Sequence, residues 1–446
     1  MTKARHTANL VDANGDIQSS ALDNVPNEVT VSASAPGSPS EGDLWYDTNG
    51  EELKVYSSSN SQFVKVSRII PRIDSIAGAI VNGATSNLTL TGAGFLTSNL
   101  IVSFTPSGGS ATNVTVTPAS DTSAVVAVPS AIYGLSTSTV VAIQVKNSDL
   151  KDSNSINETV VDLPTGGTIS NSGGYRIHTF TSSGTFANTL NSLSVDYLVI
   201  AGGAGGGGAG GGGAGGLLTG TSTLSATNHT VTIGGGGAGA TTGDGTRGSN
   251  GTNTSFGSVA TTIGGGGGGG YTGSNEDGLA GGSGGGGGYA QGTGGAGTAG
   301  QGYRGGNTVD STQTPFNCSG GGGAGAIGNS DSGSTSGTGG IGLQSSINGT
   351  NLYWAGGGGG GAQGSTSTSG NGGLGGGGGG ANYSGGTPGT GGGSALNTGG
   401  NGVESSSNAL GGAGGANTGG GGGGMGISVH NGGAGGSGIV IVRYVV

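Results

Sequence analysis

Apolar residues in this chain fall into short runs, and the spacing of those runs predicts strands rather than helices. "DLWYD" and "LKVY" alternate apolar with polar positions around the turn-forming "TNGEE", and "FVKV" adds a third short strand. This β-meander over 34–67 has too little core to stand alone, so Trp45 is expected to bury against a threefold partner. Further strands are read at "RIDSI", "NLTLTG", "LIVSFTP", "NVTVTP", "SAVVAVP" and "VVAIQVKN". Turn signals every few residues between them predict an Ig-like β-sandwich over 68–164. Residues 165–174, "TGGTISNSGG", read as a linker. A third unit, 175–446, opens with "YRIHTFTSSGTF" and "SVDYLVIAG" and closes with the most apolar segment, "SGIVIVRYVV". These flanking strands are expected to pair and bring the ends of the unit together. Residues 1–33 are polar and read as an attachment or oligomerisation arm.

Between the flanking strands lies a body with almost no side chains. The chain has 116 glycines among 446 residues. "YLVIAGG", "HTVTIGGGG", "VATTIGGGGGGG" and "LYWAGGGGGG" each pass from a strand straight into glycines. Ordering a glycine costs about 1–2 kcal/mol of backbone entropy, and no side-chain burial offsets it. In a polyproline-II conformation the N–H and C=O groups point sideways at three residues per turn. Without Cβ atoms, neighbouring segments can approach until those groups bond to each other, each bond contributing roughly 1 kcal/mol. The expected fold is therefore all-β, modular and fibrous. A meander, an Ig-like sandwich and a β-framed bundle of polyglycine-II helices follow one another. Trp354 precedes a tract and is read as a packing residue.

Charge narrows the function classes. The net charge is −10, and after Lys151 only Arg176, Arg247, Arg304 and Arg443 are basic. Nucleic acid and anionic membranes require clustered Lys/Arg, so neither is an expected partner. No run of about 18 apolar residues exists, so no membrane insertion is expected. The single cysteine, Cys318, forms no disulfide framework and reads as a small buried hydrophobe. The four histidines lack metal spacing. Glu276 and Asp277 are adjacent and make a poor glycosidase pair. Neither an enzyme nor a cofactor is expected.

The segments between tracts carry the side-chain diversity. Around 271–279 these are Tyr271, Asn275, Glu276 and Asp277; around 301–317 they are Tyr303, Arg304, Asp310 and Phe316. Tyr289 and Tyr383 follow glycine runs. Tyrosine among Ser, Asn and Gly is the composition of adaptable binding loops, and the competing reading has each tyrosine shielding the edge of the glycine body.

The phrases "FTSSGTF", "VDYLVIAGGAGGGG", "GTNTSFGSVATTIGGGGGGG" and "GGSGIVIVRY" together resemble the glycine-rich domains of bacteriophage tail-fibre adhesins. "PGSPSEGDLWYDTNGEELKVY" resembles a β repeat of tail fibres from phages of cyanobacteria, and "PRIDSIAGAIVNGATSNLTLTGAGF" the start of an IPT/TIG domain. The resemblance implies a homotrimeric virion fibre, made in the host cytoplasm and acting outside it. Its N-terminal arm would meet a tail or baseplate protein, and its far loops a bacterial surface glycan or outer-membrane protein. The alternative is a structural glycine-rich filament or virion decoration protein without a receptor. A further rival, an ice-binding slab, requires small residues in triplets on a flat face. Ala204, Ala209 and Ala214 recur every five residues instead.

Overall fold

The computed structural model describes residues 29–49, 52–59, 61–65, 70–96, 99–147, 152–241, 245–271, 275–309, 316–426 and 431–446. Most of the N-terminal arm, and Asp310, lie outside them. The chain divides into two units, Met1–Val160 and Val161–Val446. It is all-β: the one α-helix among the described residues is the four-residue turn Ser130–Tyr133.

In the first unit, Thr30–Ser32, Leu44–Asp47, Glu52–Ser57 and Gln62–Lys65 form a four-stranded sheet in sequence order. The parallel first strand, pairing Thr30 with Trp45, was not legible in the alternation. Trp45 corrects the sequence expectation, because it is 7% exposed within its own chain. Phe63 packs edge-on to it at 5.3 Å, the Lys54 ammonium sits 4.7 Å from the ring centroid, and the indole N–H donates to the Ser32 carbonyl at 3.1 Å. Burial of this ring therefore requires no threefold partner.

The second part of this unit has two sheets. One runs in the order Ser123–Ala127, Asn87–Ala93, Arg72–Ala77. The other runs Ile80–Val81, Ile156–Val161, Val140–Lys146, Leu100–Pro106, Thr112–Val116. All six strands read from the sequence here are present. Their inward positions share one core, with Leu88 and Leu90 from the first sheet meeting Val102, Phe104, Val141 and Ile143 from the second.

The second unit is framed by a sheet ordered Thr168–Ser172, Tyr175–Phe180, Ile439–Val445, Leu193–Ile200, Leu217–Leu224. Thr168–Ser172 lies within the stretch read as a linker, and it is instead an edge strand paired with Tyr175–Phe180. The strand Ile439–Val445 lies at the centre, antiparallel to both neighbours. Its unbroken apolar run Ile439–Val442 follows from burial on two faces. Val440, Val442 and Tyr444 join Phe180, Phe186 and Phe256 on one side; Ile439 and Ile441 join Leu198, Ile200 and Trp354 on the other. Trp354 is fully buried, in agreement with its reading as a packing residue.

His178 sits inside this core. Its Nδ1–H donates to the Gly166 carbonyl at 2.8 Å, and its ring stacks on Tyr444 at 5.7 Å. Burial chiefly holds its pKa below the ordinary imidazole value; Arg176 acts the same way, and the Gly166 bond opposes both. The folded pKa thus lies below the unfolded one, about 6.5. Its stabilising contribution is complete above that pH and is lost as pH falls through the lowered value. Thermal melts of the wild type should shift downward below pH 6.5 more steeply than those of His178→Gln. Equal slopes would refute this account.

The glycine tracts leave the frame and bond to one another with a period of three. In segment 201–208, the N–H groups of Gly202, Gly205 and Gly208 donate to Thr252, Ser249 and Thr246. Those of Gly203 and Gly206 donate to Gly436 and Gly433, and those of Ala204 and Gly207 to Gly213 and Gly210. The carbonyls of the same residues accept from three further segments, through Gly265 and Gly268, Gly237 and Ala240, and Gly422 and Met425. One segment therefore has six neighbours. Segment 210–216 likewise donates to 319–322, 419–422 and 263–269, and accepts from 201–207, 283–286 and 358.

At most glycines of these tracts no side chain fits between such neighbours. A Cβ on Gly267 would lie 1.8 Å from the Gly248 carbonyl oxygen. Ala204, Ala209 and Ala214 are fully buried and form no part of any outer face. Tracts at the perimeter bury only every third residue, as Gly412 and Gly415 or Gly433 and Gly436 illustrate.

Candidate recognition surface

The tract after Leu193–Ile200 starts at a frame strand, and the tract after Ala260–Thr262 starts at a strand packed on the same core, so the other end of each lies at the opposite face of the bundle. Gly264 follows the strand Ala260–Thr262, and the tract ends at Tyr271. Return segments then bring the chain back: Leu279 N–H donates to Gly267, and Gly282 N–H to Gly264, beside the frame. The same up-and-down course fixes which candidate residues share an end.

Tyr271, Tyr289 and Phe316 meet at the far end. The two tyrosine rings are 4.5 Å apart, and Phe316 stands edge-on to Tyr289 at 5.1 Å and to Tyr271 at 6.4 Å. A three-stranded ribbon continues this cluster. Phe316–Asn317 pairs antiparallel with Ala362–Gln363, which pairs parallel with Asn382–Tyr383. Directly paired residues share a face, so Phe316, Gln363 and Tyr383 line up, each half-buried. Asn317, Ala362 and Asn382 turn inward and are buried. Their amides anchor the ribbon: Asn317 donates to the Gly333 carbonyl at 2.8 Å and Asn382 to the Ser367 carbonyl at 3.2 Å.

Asn275, Glu276 and Asp277 lie beside the cluster and serve first through their backbones and hydrogen bonds. The Asn275 carbonyl accepts from Gly270 N–H at 2.7 Å and the Glu276 carbonyl from Gly288 N–H at 2.7 Å. Asp277 Oδ1 accepts from both the hydroxyl and the N–H of Thr293 at 2.7 Å. These bonds, with a smaller contribution from Arg247, hold its carboxyl below the usual carboxylate range. Arg247 also donates to the Asp277 carbonyl at 2.8 Å.

Tyr303 and Arg304 are not part of this arrangement. Thr298 accepts from Gln301 and Gly302 in a turn next to the frame, where Leu217 N–H donates to the Gln301 carbonyl. Tyr303 and Arg304 line a cleft of about 680 Å³ there, together with Leu217, Ala324, Ile327 and Leu343. The candidate segment 301–317 thus contributes its two ends to opposite ends of the bundle.

Gln363 was missed in the sequence. Its signal is the recurrence of "GGGGGGAQ" and "GGGGGGANY", in which a six-glycine tract passes through alanine into polar residues, Gln363 two positions past its tract and Tyr383 three. Cys318 is fully buried at the start of a tract, and burial drives its thiol pKa far up, which leaves it inert. Chemically, the far end offers aromatic rings, an amide and hydroxyls on a backbone-bonded scaffold, a combination suited to stacking and hydrogen bonding.

Searches among curated proteins and among solved structures give no match. The model of a glycine-rich domain family matches residues 181–415, from just past the framing strand Tyr175–Phe180 through most of the tract bundle. Those residues are more than half of the chain, which therefore belongs to this glycine-rich domain family.

Proposed function

We propose that the chain is a phage tail-fibre adhesin that recognises the host surface through the far end of its glycine-rich unit. The observation that carries this reading is the gathering of Tyr271, Tyr289, Phe316 and Tyr383 at one end of a rigid bundle. Fixed elements position such residues more accurately than free loops do. The three-residue hydrogen-bond period supports assigning the tracts as polyglycine-II helices. Two facing sheets with a shared core support an Ig-like spacer before them. In this reading the chain is a homotrimer in the virion, and its arm meets a tail or baseplate protein. Several copies multiply weak single contacts.

The test is binding of the labelled full-length chain to a panel of bacteria that includes cyanobacteria. Saturable binding to some strains only is expected. The double variant Tyr289→Ala/Tyr383→Ala should weaken it at least about tenfold, as loss of one or two interface anchors does. Absence of binding to every strain by folded protein would sink the proposal in favour of a structural filament.

A further inference from the structure

A second surface on the same unit carries a repeat that the far end lacks. Residues 335–341 read T-S-G-T-G-G-I, residues 368–374 T-S-G-N-G-G-L, and residues 387–393 T-P-G-T-G-G-G. The three segments are neighbours, parallel and in phase. Thr335 pairs with Thr368 and Thr368 with Thr387 in parallel bridges. Along the first contact, Ser336, Gly339 and Gly342 N–H donate to Thr368, Asn371 and Leu374. Along the second, Ser369, Gly372 and Gly375 N–H donate to Thr387, Thr390 and Gly393. Six backbone bonds therefore lock one register over the whole face.

The triplet period decides what points outward. Gly337, Gly370 and Gly389 face the bundle and are buried, whereas Thr335, Thr368, Thr387, Asn371 and Thr390 are exposed. Nearer the frame, Ile341 and Leu374 are 44% and 38% exposed. The face thus presents a row of threonines, a row of threonine and asparagine, and an aliphatic row. Rows follow one another at about 9 Å, three residues of an extended three-fold helix. Within a row the residues stand about 4.8 Å apart, the spacing of neighbouring strands.

We propose that this face binds an extended, uncharged polysaccharide lying along its rows. Three features argue for that ligand. A partner read by identical residues at a constant spacing is itself a repeat, and each sugar of an extended chain advances by about one such step. No residue of the three segments is charged, although the chain as a whole carries −10. That charge repels acidic polymers and leaves a neutral polymer favoured. Sugars also combine hydroxyl edges with C–H faces, which matches hydroxyl and amide rows beside an aliphatic one. The Asn371 carbonyl oxygen accepts from the Thr390 N–H at 2.8 Å and from its hydroxyl at 3.1 Å, which fixes the orientation of that amide. The inference rests on the host-recognition reading but uses a site separate from the far-end aromatics.

The full-length chain would be titrated with mannan, dextran, laminarin and a mixed-linkage β-glucan by calorimetry and affinity electrophoresis. Saturable binding to at least one is expected. Thr368→Glu/Thr387→Glu should weaken it at least tenfold with an unchanged melting temperature, because both side chains are exposed. Ser249→Glu, on another perimeter segment, should leave it intact. Absence of binding to all four polymers, or equal binding by the double glutamate variant, overturns the proposal. So does sedimentation showing dimers that the variant lacks, since the occupant is then a second copy. Cell binding separates the two readings. Loss with Tyr289→Ala/Tyr383→Ala and none with the glutamate variant leaves far-end recognition standing and this inference refuted.

Discussion

Gly267→Val is expected to lower the melting temperature of the glycine-rich unit by about 6–12 °C, and Gly267→Ala to show most of that loss. The added Cβ lies 1.8 Å from the Gly248 carbonyl oxygen and 2.6 Å from its carbon. Backbone cannot swing aside as a flexible side chain can. Gly267 N–H also accepts no slack, because it donates to Asn250 Oδ1 at 2.9 Å while Gly248 N–H donates to Gly268. Separating the two segments sacrifices several such bonds at roughly 1 kcal/mol each. With the ordinary cost of overpacking, the loss reaches about 3 kcal/mol or more, and each kcal/mol moves the midpoint about 2–4 °C in a unit of this size. Gly235→Ala is the matched control. Its Cβ meets only the Thr252 hydroxyl oxygen at 4.0 Å, so its melt should not fall. Equal melts for Gly267→Val and wild type would show that the tract is unpacked.

Removal of the strand Ile439–Val445 should abolish cooperative folding of the whole second unit. That strand pairs with Tyr175–Phe180 on one side and Leu193–Ile200 on the other. Its deletion leaves two unpaired strand edges and opens both apolar cores at once. It also removes the ion pair of Arg443 with Asp196, 3.0 Å apart. Typical domains are stable by only about 5–15 kcal/mol, and a central strand contributes more than that margin. A chain ending at Gly438 should show no sigmoidal melt for this unit and rapid proteolysis after Val161. A retained transition would mean that the glycine body holds itself together without its frame.

Much of the fold was legible in the sequence because local alternation specifies strands. Most strands of the first unit followed from it, though not Ile80–Val81 or Ile156–Val161, as did the pairing of the segments that flank the glycine body. The parallel strand Thr30–Ser32 was not, since its pairing depends on a contact with Trp45 rather than on its own pattern. Trp45 was misjudged for a related reason: alternation does not show that Phe63 and Lys54 converge on one ring. In the glycine body, strand-to-tract junctions pointed to backbone packing. Composition alone did not separate interior tracts from perimeter ones. The distinguishing mark is whether bulky residues recur every third position, as in 335–341, and the alanines at five-residue spacing drew attention elsewhere. The aromatic cluster was half legible. Tyr271 and Tyr289 each end a tract, but the split of Tyr303 from Phe316 depends on where the chain reverses beside the frame.

The central position of Ile439–Val445 also sets an order of events during synthesis. Its partner residue Asp196 lies 247 positions earlier. The glycine body is synthesised before the strand that completes its frame. Glycine segments released early have no side chains with which to collapse and no scaffold to align on. They wait as open chain until the last strand arrives, and long-range closure of this kind is slow. A ribosome that stalls anywhere within the body yields a product open to proteases. Chains that end within the body are therefore expected to be degraded by a protease that spares the full second unit, because the pairing on both sides of Ile439–Val445 is missing from them.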